Sequence, residues 1–249
     1  MGCCDGSINQ LTQVIAKSAI GRFLRLGLCC LSQPTVLSMS NQLITPVLFY
    51  SEGSPYARIC RMAIRERALS NLVSQATTTL RDPNAVVLPH NPSGRVPALL
   101  LQDGVTLTET TLIMQWLDQQ GSAPRLMPSD NRGIAAYGRV LGLLDGIAVW
   151  NRELRRPESE RSPAVLALEA VRADRVADAL EIDVATGSYA SLDAGALALL
   201  AVLGYAERRH RVWAWRSGRD HLVRWFEAMS DRTSFAETLP AIPPGGGTH

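Results

Sequence analysis

The pattern of apolar and polar positions changes near residue 120 of the chain. Before that point, short apolar runs of strand type alternate with helical patterns, whereas after it only long helical patterns occur. The predicted elements of the first part are a strand at 47–50, a helix at 54–68, a strand at 72–76, a hairpin at 98–107 and a helix at 110–120. Asp103-Gly104 is a strong signal for the hairpin turn. The apolar face that we expect the last helix to bury consists of Leu112, Ile113, Trp116 and Leu117.

The second part of the chain predicts helices only. They cover residues 134–155, 163–182, 192–208 and 220–230. The third helix contains thirteen consecutive uncharged, mostly apolar residues, 194–206, which indicates a helix buried in the core. We expect Ser191 to cap this helix and Asp193 to follow early in its first turn, where an acid favours the positive helix end.

These patterns predict an α+β protein. The order strand, helix, strand, then hairpin and helix is thioredoxin-like, so we expect a thioredoxin-like N-terminal domain at 43–120. An all-α helical-bundle domain is expected to follow at 131–237. Residues 1–42 form an extension that does not share these patterns, and residues 238–249, rich in Pro and Gly, form a flexible tail.

The extension allows three interpretations. It carries four of the five cysteines and the sole lysine, and it shows no motif. It can be an over-extended gene start, with Met39 as the true initiator, or a disordered tail. A short apolar stretch at 26–31 near basic residues also suggests a targeting segment, although no small-residue cleavage site follows it. On the first interpretation, the residues before Met39 are dispensable for folding and binding.

Composition argues against several classes of function. A net charge of +2 gives no basic footprint over the whole surface, so we expect no nucleic-acid partner. The thirteen-residue apolar run is shorter than the roughly 20 residues of a spanning helix, so we expect no membrane segment. The four histidines lie at no ligand spacing with Cys or acids, which predicts no metal site. The cysteines form no disulfide framework, which is typical of a reducing, cytoplasmic location.

Ser54-Pro55 is the first motif with a chemical consequence. Serine is favoured as a helix N-cap, and proline is favoured at the first helical position. The Ser54 hydroxyl would then lie beside the positive end of the helix dipole, where an anion is stabilised. A thiol of ordinary pKa, about 8.5, would be converted more fully to thiolate there at neutral pH. The alternative is that Ser54 only caps its helix.

Three stretches resemble, in order and spacing, the glutathione site of the glutathione transferase family. They are Ser54-Pro55-Tyr56, Arg95-Val96-Pro97 and Glu109-Thr110, and the resemblance covers residues 43–235. It implies a thioredoxin-like N-terminal half, a helical C-terminal half and glutathione as co-substrate without a metal. The activity that it implies is addition of the glutathione thiolate to an apolar electrophilic small molecule, as in detoxification.

The resemblance also implies a role for each stretch. The first activates the thiol of glutathione. Val96, followed by a cis Pro97, pairs through its backbone with the tripeptide, and Arg95 reaches the glycyl carboxylate. Glu109 pairs with the ammonium of the γ-glutamyl end, and Thr110 receives its carboxylate. Threonine stands there in place of the family's usual serine.

Several alternatives remain open at this stage. Ser51 and Tyr50 are rival hydroxyls to Ser54 for activating the thiol. Serine cannot form the mixed disulfide that cysteine forms in some relatives, and Cys60 is expected to be an inert core thiol. The resemblance implies a homodimer, in which Asp145 of the partner subunit completes the γ-glutamyl site. The competing function is a non-catalytic transferase-like module that binds protein partners.

Overall fold

The computed structural model describes residues 45–240, so the predicted extension and most of the predicted tail lie outside it. Four strands form one sheet in the order β2-β1-β3-β4. They are β1 (Val47–Tyr50), β2 (Ser74–Thr77), β3 (Ala98–Leu100) and β4 (Thr106–Thr108). Strand β1 is parallel to β2 and antiparallel to β3, and β3 pairs antiparallel with β4. The predicted strands and hairpin are all present, with bounds that differ by one or two residues.

Two helices cover this sheet, α1 (Pro55–Glu66) and α2 (Thr110–Asp118), and they pack against each other. Leu48 of β1, Ile59 of α1 and Ile113 of α2 are fully buried in one core cluster. The prediction for α2 was wrong at Leu112, which is 53% exposed. The buried face of α2 runs instead through residues 110, 113, 114, 117 and 118, because position 112 points away from the sheet at helical spacing.

The rest of the described chain is helical. Its helices are α3 (Asn131–Leu154), α4 (Pro163–Ala185), α5 (Ala194–Arg209), α6 (Asp220–Ser230) and the short α7 (Thr233–Ala236), with one 3-10 turn at Glu158–Glu160. Helix α5 packs against both α1 and α3, and all of its residues from 194 to 206 are buried. The prediction of a core helix is confirmed, and the α+β fold class with it.

The cap of α5 differs from the prediction. Asp193 itself is the N-cap, and its Oδ1 accepts the Ala196 N–H at 2.8 Å. Ser191 lies two residues outside the helix. The acid is therefore not early in the first turn but is the capping residue, for which Asp is as suitable as Ser.

Helix α3 corrects a second expectation. Within residues 45–240 it is the one helix long and apolar enough to cross a membrane by length and composition, whereas the sequence analysis expected none. The earlier criterion counted only uncharged runs and so missed a helix that tolerates a few charges. One such helix is weak evidence for a membrane. In this fold the apolar residues Val140, Leu144 and Ile147 of α3 are fully buried, and α3 packs on α4 and α5.

The end of the described chain returns to α1. The buried Arg58 guanidinium donates to the Phe235 carbonyl at 3.0 Å and to Thr238 Oγ1 at 3.2 Å. Glu66, at the other end of α1, accepts two bonds from Arg232, at 2.9 and 2.7 Å. Two well-separated points on α1 are therefore fixed by the segment that follows α6.

Candidate functional site at the end of strand β1

The register of the sheet brings the three predicted stretches to one edge. Phe49 of β1 pairs with Ala98 of β3, and Ala98 pairs with Thr108 of β4. These three residues form one row across the sheet. Since β1 and β4 end within a residue of this row and β3 begins on it, the segments at 51–54, 95–97 and 109–110 all lie at the same edge.

Ser54 lies where β1 leads into α1. Its backbone is extended, at φ −86° and ψ 113°, and its Oγ accepts the Ala57 N–H at 3.2 Å, so it is the N-cap of α1. Pro55 occupies the first helical position, as predicted. Because Oγ is the acceptor in the cap, the hydroxyl proton of Ser54 is left to donate to another group. The half-buried Ser54 hydroxyl therefore lies at the positive end of a helix and can also donate a hydrogen bond.

The rival hydroxyls have different surroundings. The Arg61 guanidinium lies 4.0 Å from the centre of the Tyr50 ring. Burial raises the pKa of Tyr50, and the charge of Arg61 opposes that rise. Ser51 lies in the turn, where its carbonyl accepts the Ser54 N–H at 3.1 Å. Of the three hydroxyls, only that of Ser54 caps a helix.

The loop before β3 presents the backbone of Val96. Asn91 is buried, and its side-chain amide donates to the Arg95 carbonyl at 2.9 Å while its Oδ1 accepts from Ser93. The Val96–Pro97 peptide bond is cis, as the resemblance implies. In the part of the chain that the structure describes, the Val96 N–H and C=O make no backbone hydrogen bond. The sequence analysis missed Asn91, although Asn before a Pro-Ser-Gly sequence is a turn signal.

Glu109 begins α2 in an unusual conformation. Its φ is +67° and its ψ is 128°, a region that residues with a side chain rarely adopt, and its carboxylate makes no cap hydrogen bond. The side chain is exposed, while the neighbouring Thr110 is buried at the first helical position. Glu109 is thus the N-cap residue of α2 by position, and its carbonyl accepts the Ile113 N–H at 3.1 Å, but its carboxylate is not used for capping and is available to a ligand.

Tyr56, two residues after Ser54, connects α1 to the helical half. Its hydroxyl donates to Asp145 Oδ1 of α3 at 2.5 Å. Burial raises the pKa of Tyr56, the hydrogen bond to Asp145 adds to the rise, and the charges of Arg152 and Arg95 oppose it. Asp145 is thus engaged within its own chain, and its predicted role in a partner subunit stays a prediction.

The last residue of α5, Arg209, also lies beside the site. The Arg209 guanidinium lies so close to Gly53 that a Cβ there would be 3.0 Å from its Cζ. One turn earlier, the Tyr205 hydroxyl accepts a hydrogen bond from the Asn151 amide of α3. The sequence analysis missed this contact, because Gly53 and Arg209 are far apart in the chain and nothing local to Arg209 indicates it.

Two further predicted features concern metal and thiol chemistry. Across residues 45–240, no group of three or more His, Cys, Asp and Glu side chains is placed to hold a metal ion. Cys60 is fully buried in α1, and burial raises the pKa of its thiol. Its surroundings are those of an inert core thiol.

Known proteins share both the sequence pattern and this fold. Residues 48–125 match the family model described as glutathione S-transferase, N-terminal domain. A glutathione S-transferase from Methylobacillus flagellatus KT, solved with glutathione bound, is 30% identical and has a TM-score of 0.71 over 79% of this chain and 100% of its own. The chain belongs to the glutathione S-transferase family.

Other relatives agree with this assignment. A glutathione transferase family member from Pseudomonas fluorescens Pf-5, with bound glutathione, is 27% identical and has a TM-score of 0.73, covering 79% of this chain and 100% of its own. The uncharacterized GST-like protein YibF of Escherichia coli K12 is 28% identical over 160 residues, which are 62% of this chain and 79% of YibF. Membership of the glutathione S-transferase family accounts for the thioredoxin-like sheet and the helical half.

Proposed function

We propose that this protein conjugates the thiolate of glutathione to an electrophilic small molecule. The observation that supports this best is the row Phe49, Ala98 and Thr108, which aligns the three predicted stretches beside the N-terminus of α1. Two relatives with 100% of their length covered hold glutathione. In this proposal, Ser54 donates its hydroxyl proton in a hydrogen bond to the sulfur and is not itself a nucleophile.

The remaining residues of the edge bind the tripeptide. The unpaired N–H and C=O of Val96, before Pro97, form two hydrogen bonds with the extended glutathione backbone. The carboxylate of Glu109 pairs with the γ-glutamyl ammonium, and the start of α2 at Thr110 receives the γ-glutamyl carboxylate. Arg95, which is exposed beside Val96, pairs with the glycyl carboxylate.

The chemical contribution of Ser54 is stabilisation of an anion. Each unit by which the thiol pKa falls requires about 1.4 kcal/mol of preference for the thiolate. A helix N-terminus contributes roughly 0.3–1 kcal/mol, and a hydrogen bond to a charged group about 1.5–3 kcal/mol. Together they lower the thiol pKa by about one to three units from about 8.5, which makes the thiolate abundant at neutral pH. The proton leaves to solvent. The thiolate sulfur then forms the new bond to carbon while a leaving group departs with the electron pair of its bond or, in an addition, the electron pair of a double bond moves onto the neighbouring atom and is protonated from solvent.

The proposal includes a cytoplasmic homodimer, in which the N-terminal half of one subunit packs on the helical half of the other. Asp145 is exposed and uses only Oδ1 towards Tyr56, so its second oxygen can face a partner subunit. Solution scattering at micromolar concentration tests the assembly. A monomer mass would remove the dimer from the proposal without affecting the role of Ser54.

The decisive experiment is conjugation of glutathione to chlorodinitrobenzene by wild type, Ser54→Ala, Ser54→Thr and Ser54→Asp. Aspartate keeps the cap of α1 but has no proton to donate, so it separates the structural role from the chemical one. We expect kcat/KM to fall about tenfold to a hundredfold in the Ala and Asp variants, and to be largely retained by Thr.

Ser51→Ala is the matched control for a hydroxyl in the same turn and is expected to stay near wild type. Equal rates in wild type and Ser54→Ala would exclude Ser54 from the reaction. If no electrophile is conjugated and glutathione binds with at best a millimolar Kd, the fold serves instead as a module that binds protein partners.

A further inference from the structure

Arg209 places a positive charge directly beside the proposed reaction site. The atoms Cζ and Nη2 of its guanidinium both lie 3.0 Å from where a Cβ of Gly53 would be, and Gly53 immediately precedes Ser54. The side chain is half-buried. Its Nε is buried and has no hydrogen-bond partner among residues 45–240. A buried guanidinium N–H without an acceptor is costly, and the half-buried Arg209 guanidinium beside Gly53 therefore retains donors for a group from outside the described residues.

A second buried polar atom without a hydrogen-bond partner lies at the contact between α3 and α5, one turn before Arg209. Asn151 of α3 donates to the Tyr205 hydroxyl, but its own Oδ1 is buried and makes no hydrogen bond to the described part of the chain. Burial raises the pKa of Tyr205, and the charges of Arg155 and Arg209 oppose the rise. Two guanidinium groups thus act on the same buried hydroxyl, one from the end of α3 and one from the end of α5.

The acids of these elements are engaged elsewhere. Glu207 accepts from Arg216 and Trp215, and Glu153 accepts the Ser162 N–H and pairs with Arg156. Asp145 accepts from Tyr56. Among the ion pairs formed within residues 45–240, none includes Arg155 or Arg209. Glu52, which precedes Gly53, pairs with Arg61, so the positive charge of Arg209 forms no ion pair within this part of the protein.

We propose that the electrophile of this enzyme carries a carboxylate, which binds the Arg209 guanidinium while the electrophilic carbon faces the thiolate at Ser54. A planar guanidinium matches a carboxylate with two parallel hydrogen bonds, and this fork distinguishes arginine from lysine. The residues proposed to bind glutathione all precede residue 111, whereas Arg209 comes from α5. Its charge is therefore assigned to the second substrate, and the inference rests on the proposed conjugation.

The reaction used to test this is a substitution on an aromatic ring. The thiolate sulfur of glutathione forms a bond to the ring carbon that carries chlorine, and chloride leaves with the electron pair of the carbon–chlorine bond. A chloronitrobenzoate and the corresponding chloronitrobenzamide undergo this same step. They differ only in the group that would meet Arg209, and each enzymatic rate is divided by its uncatalysed rate to remove their different intrinsic reactivity.

The variants are Arg209→Gln, Arg209→Lys and the control Arg211→Gln, which removes one charge from an exposed position two residues away. We expect Arg209→Gln to lower the benzoate-to-benzamide ratio of kcat/KM about tenfold or more, Arg209→Lys to lower it less, and Arg211→Gln to leave it unchanged. The Kd of glutathione itself should stay the same in all three variants.

A binding measurement makes the inference independent of turnover. The glutathione conjugates of the two aromatic compounds are titrated calorimetrically into wild type and Arg209→Gln, and only the carboxylate conjugate should lose affinity. If wild type turns over neither these two compounds nor chlorodinitrobenzene but this difference in Kd persists, the conjugation proposal fails and the carboxylate site stands. Equal effects of Arg209→Gln on both compounds, or a weaker Kd for glutathione alone, would overturn the assignment of Arg209.

Discussion

The helices α1 and α2 begin at the same edge of the sheet but in opposite ways. Ser54 starts α1 with an ordinary extended backbone and a capping hydrogen bond to the Ala57 N–H. Glu109 starts α2 with φ at +67° and no cap hydrogen bond. Ser54 would therefore be favoured at its position even in a protein without activity. Glu109 is in a conformation that costs about 1–3 kcal/mol, and its side chain gives the helix no capping hydrogen bond in return, so its presence indicates a ligand more directly.

The largest expected effect in this comparison is the loss of glutathione affinity on changing Glu109. Glu109→Gln removes the charge that would pair with the γ-glutamyl ammonium and keeps the size of the side chain. A hydrogen bond to a charged group contributes about 1.5–3 kcal/mol, so the Kd of glutathione should rise by about tenfold to a hundredfold. Isothermal titration measures it, with Glu52→Gln, an exposed acid of the neighbouring turn, as the control. An unchanged Kd would place the γ-glutamyl end elsewhere.

The next effect tests the strain at Glu109. Glu109→Gly and Glu109→Ala both remove the carboxylate, but only glycine adopts a positive φ without steric cost. After the entropy that glycine adds to the unfolded chain, the Gly variant should be more stable than the Ala variant by about 1 kcal/mol. Urea unfolding of the two variants measures the difference. Equal stability would show that the backbone at Glu109 relaxes when its side chain is removed.

An effect of similar size is expected for the cap at Ser54. Ser54→Ala should lose about 1 kcal/mol of unfolding free energy because the Ala57 N–H loses its acceptor, whereas Ser54→Asp should lose little. The same urea titrations measure both. If the Ala and Asp variants are equally stable, the cap contributes nothing, and Ser54 would then resemble Glu109 in being explained by function alone.

The smallest expected effect concerns the hydrogen bond between Tyr56 of α1 and Asp145 of α3. The Tyr56 hydroxyl connects the first turn of α1 to Asp145, which is exposed. Tyr56→Phe should therefore cost only about 0.5–1 kcal/mol in thermal or urea unfolding. Asp145→Asn, which keeps an acceptor oxygen, should cost less. A loss of several kcal/mol in Tyr56→Phe would mean that this bond, and not the cap, positions Ser54.

Short sequence motifs correctly predicted the turns and helix starts whose structure depends only on neighbouring residues. The Asp-Gly turn, the Ser-Pro helix start and the apolar run of α5 each determine their own structure, and the structure has all three. The strained backbone of Glu109 was not predictable, because Glu-Thr before an apolar helix reads as an ordinary helix start. The cap of α5 was misplaced by two residues because Ser191 and Asp193 are both good caps.

Contacts between residues far apart in the chain could not be predicted from such short motifs. Arg209 is the last residue of the buried helix α5 and precedes a histidine, a setting in which arginine is usually a solvated helix end. Only the packing of α5 against α1 brings it to Gly53. Leu112 was wrongly expected to be buried because an apolar residue in an amphipathic helix need not lie on its buried face.

The hydrogen bonds of Arg58 have a consequence for how this chain can be divided. Burial lowers the pKa of Arg58 to about 9. The residue is 3% exposed, and its guanidinium donates to the Phe235 carbonyl and to Thr238 Oγ1. A fragment that ended at residue 125, where the family model stops, would leave this guanidinium in the first turn of α1 without those acceptors. We therefore expect the N-terminal half to be less stable alone than in the whole chain, since residues 235–238 complete the environment of a helix near the start of the described residues.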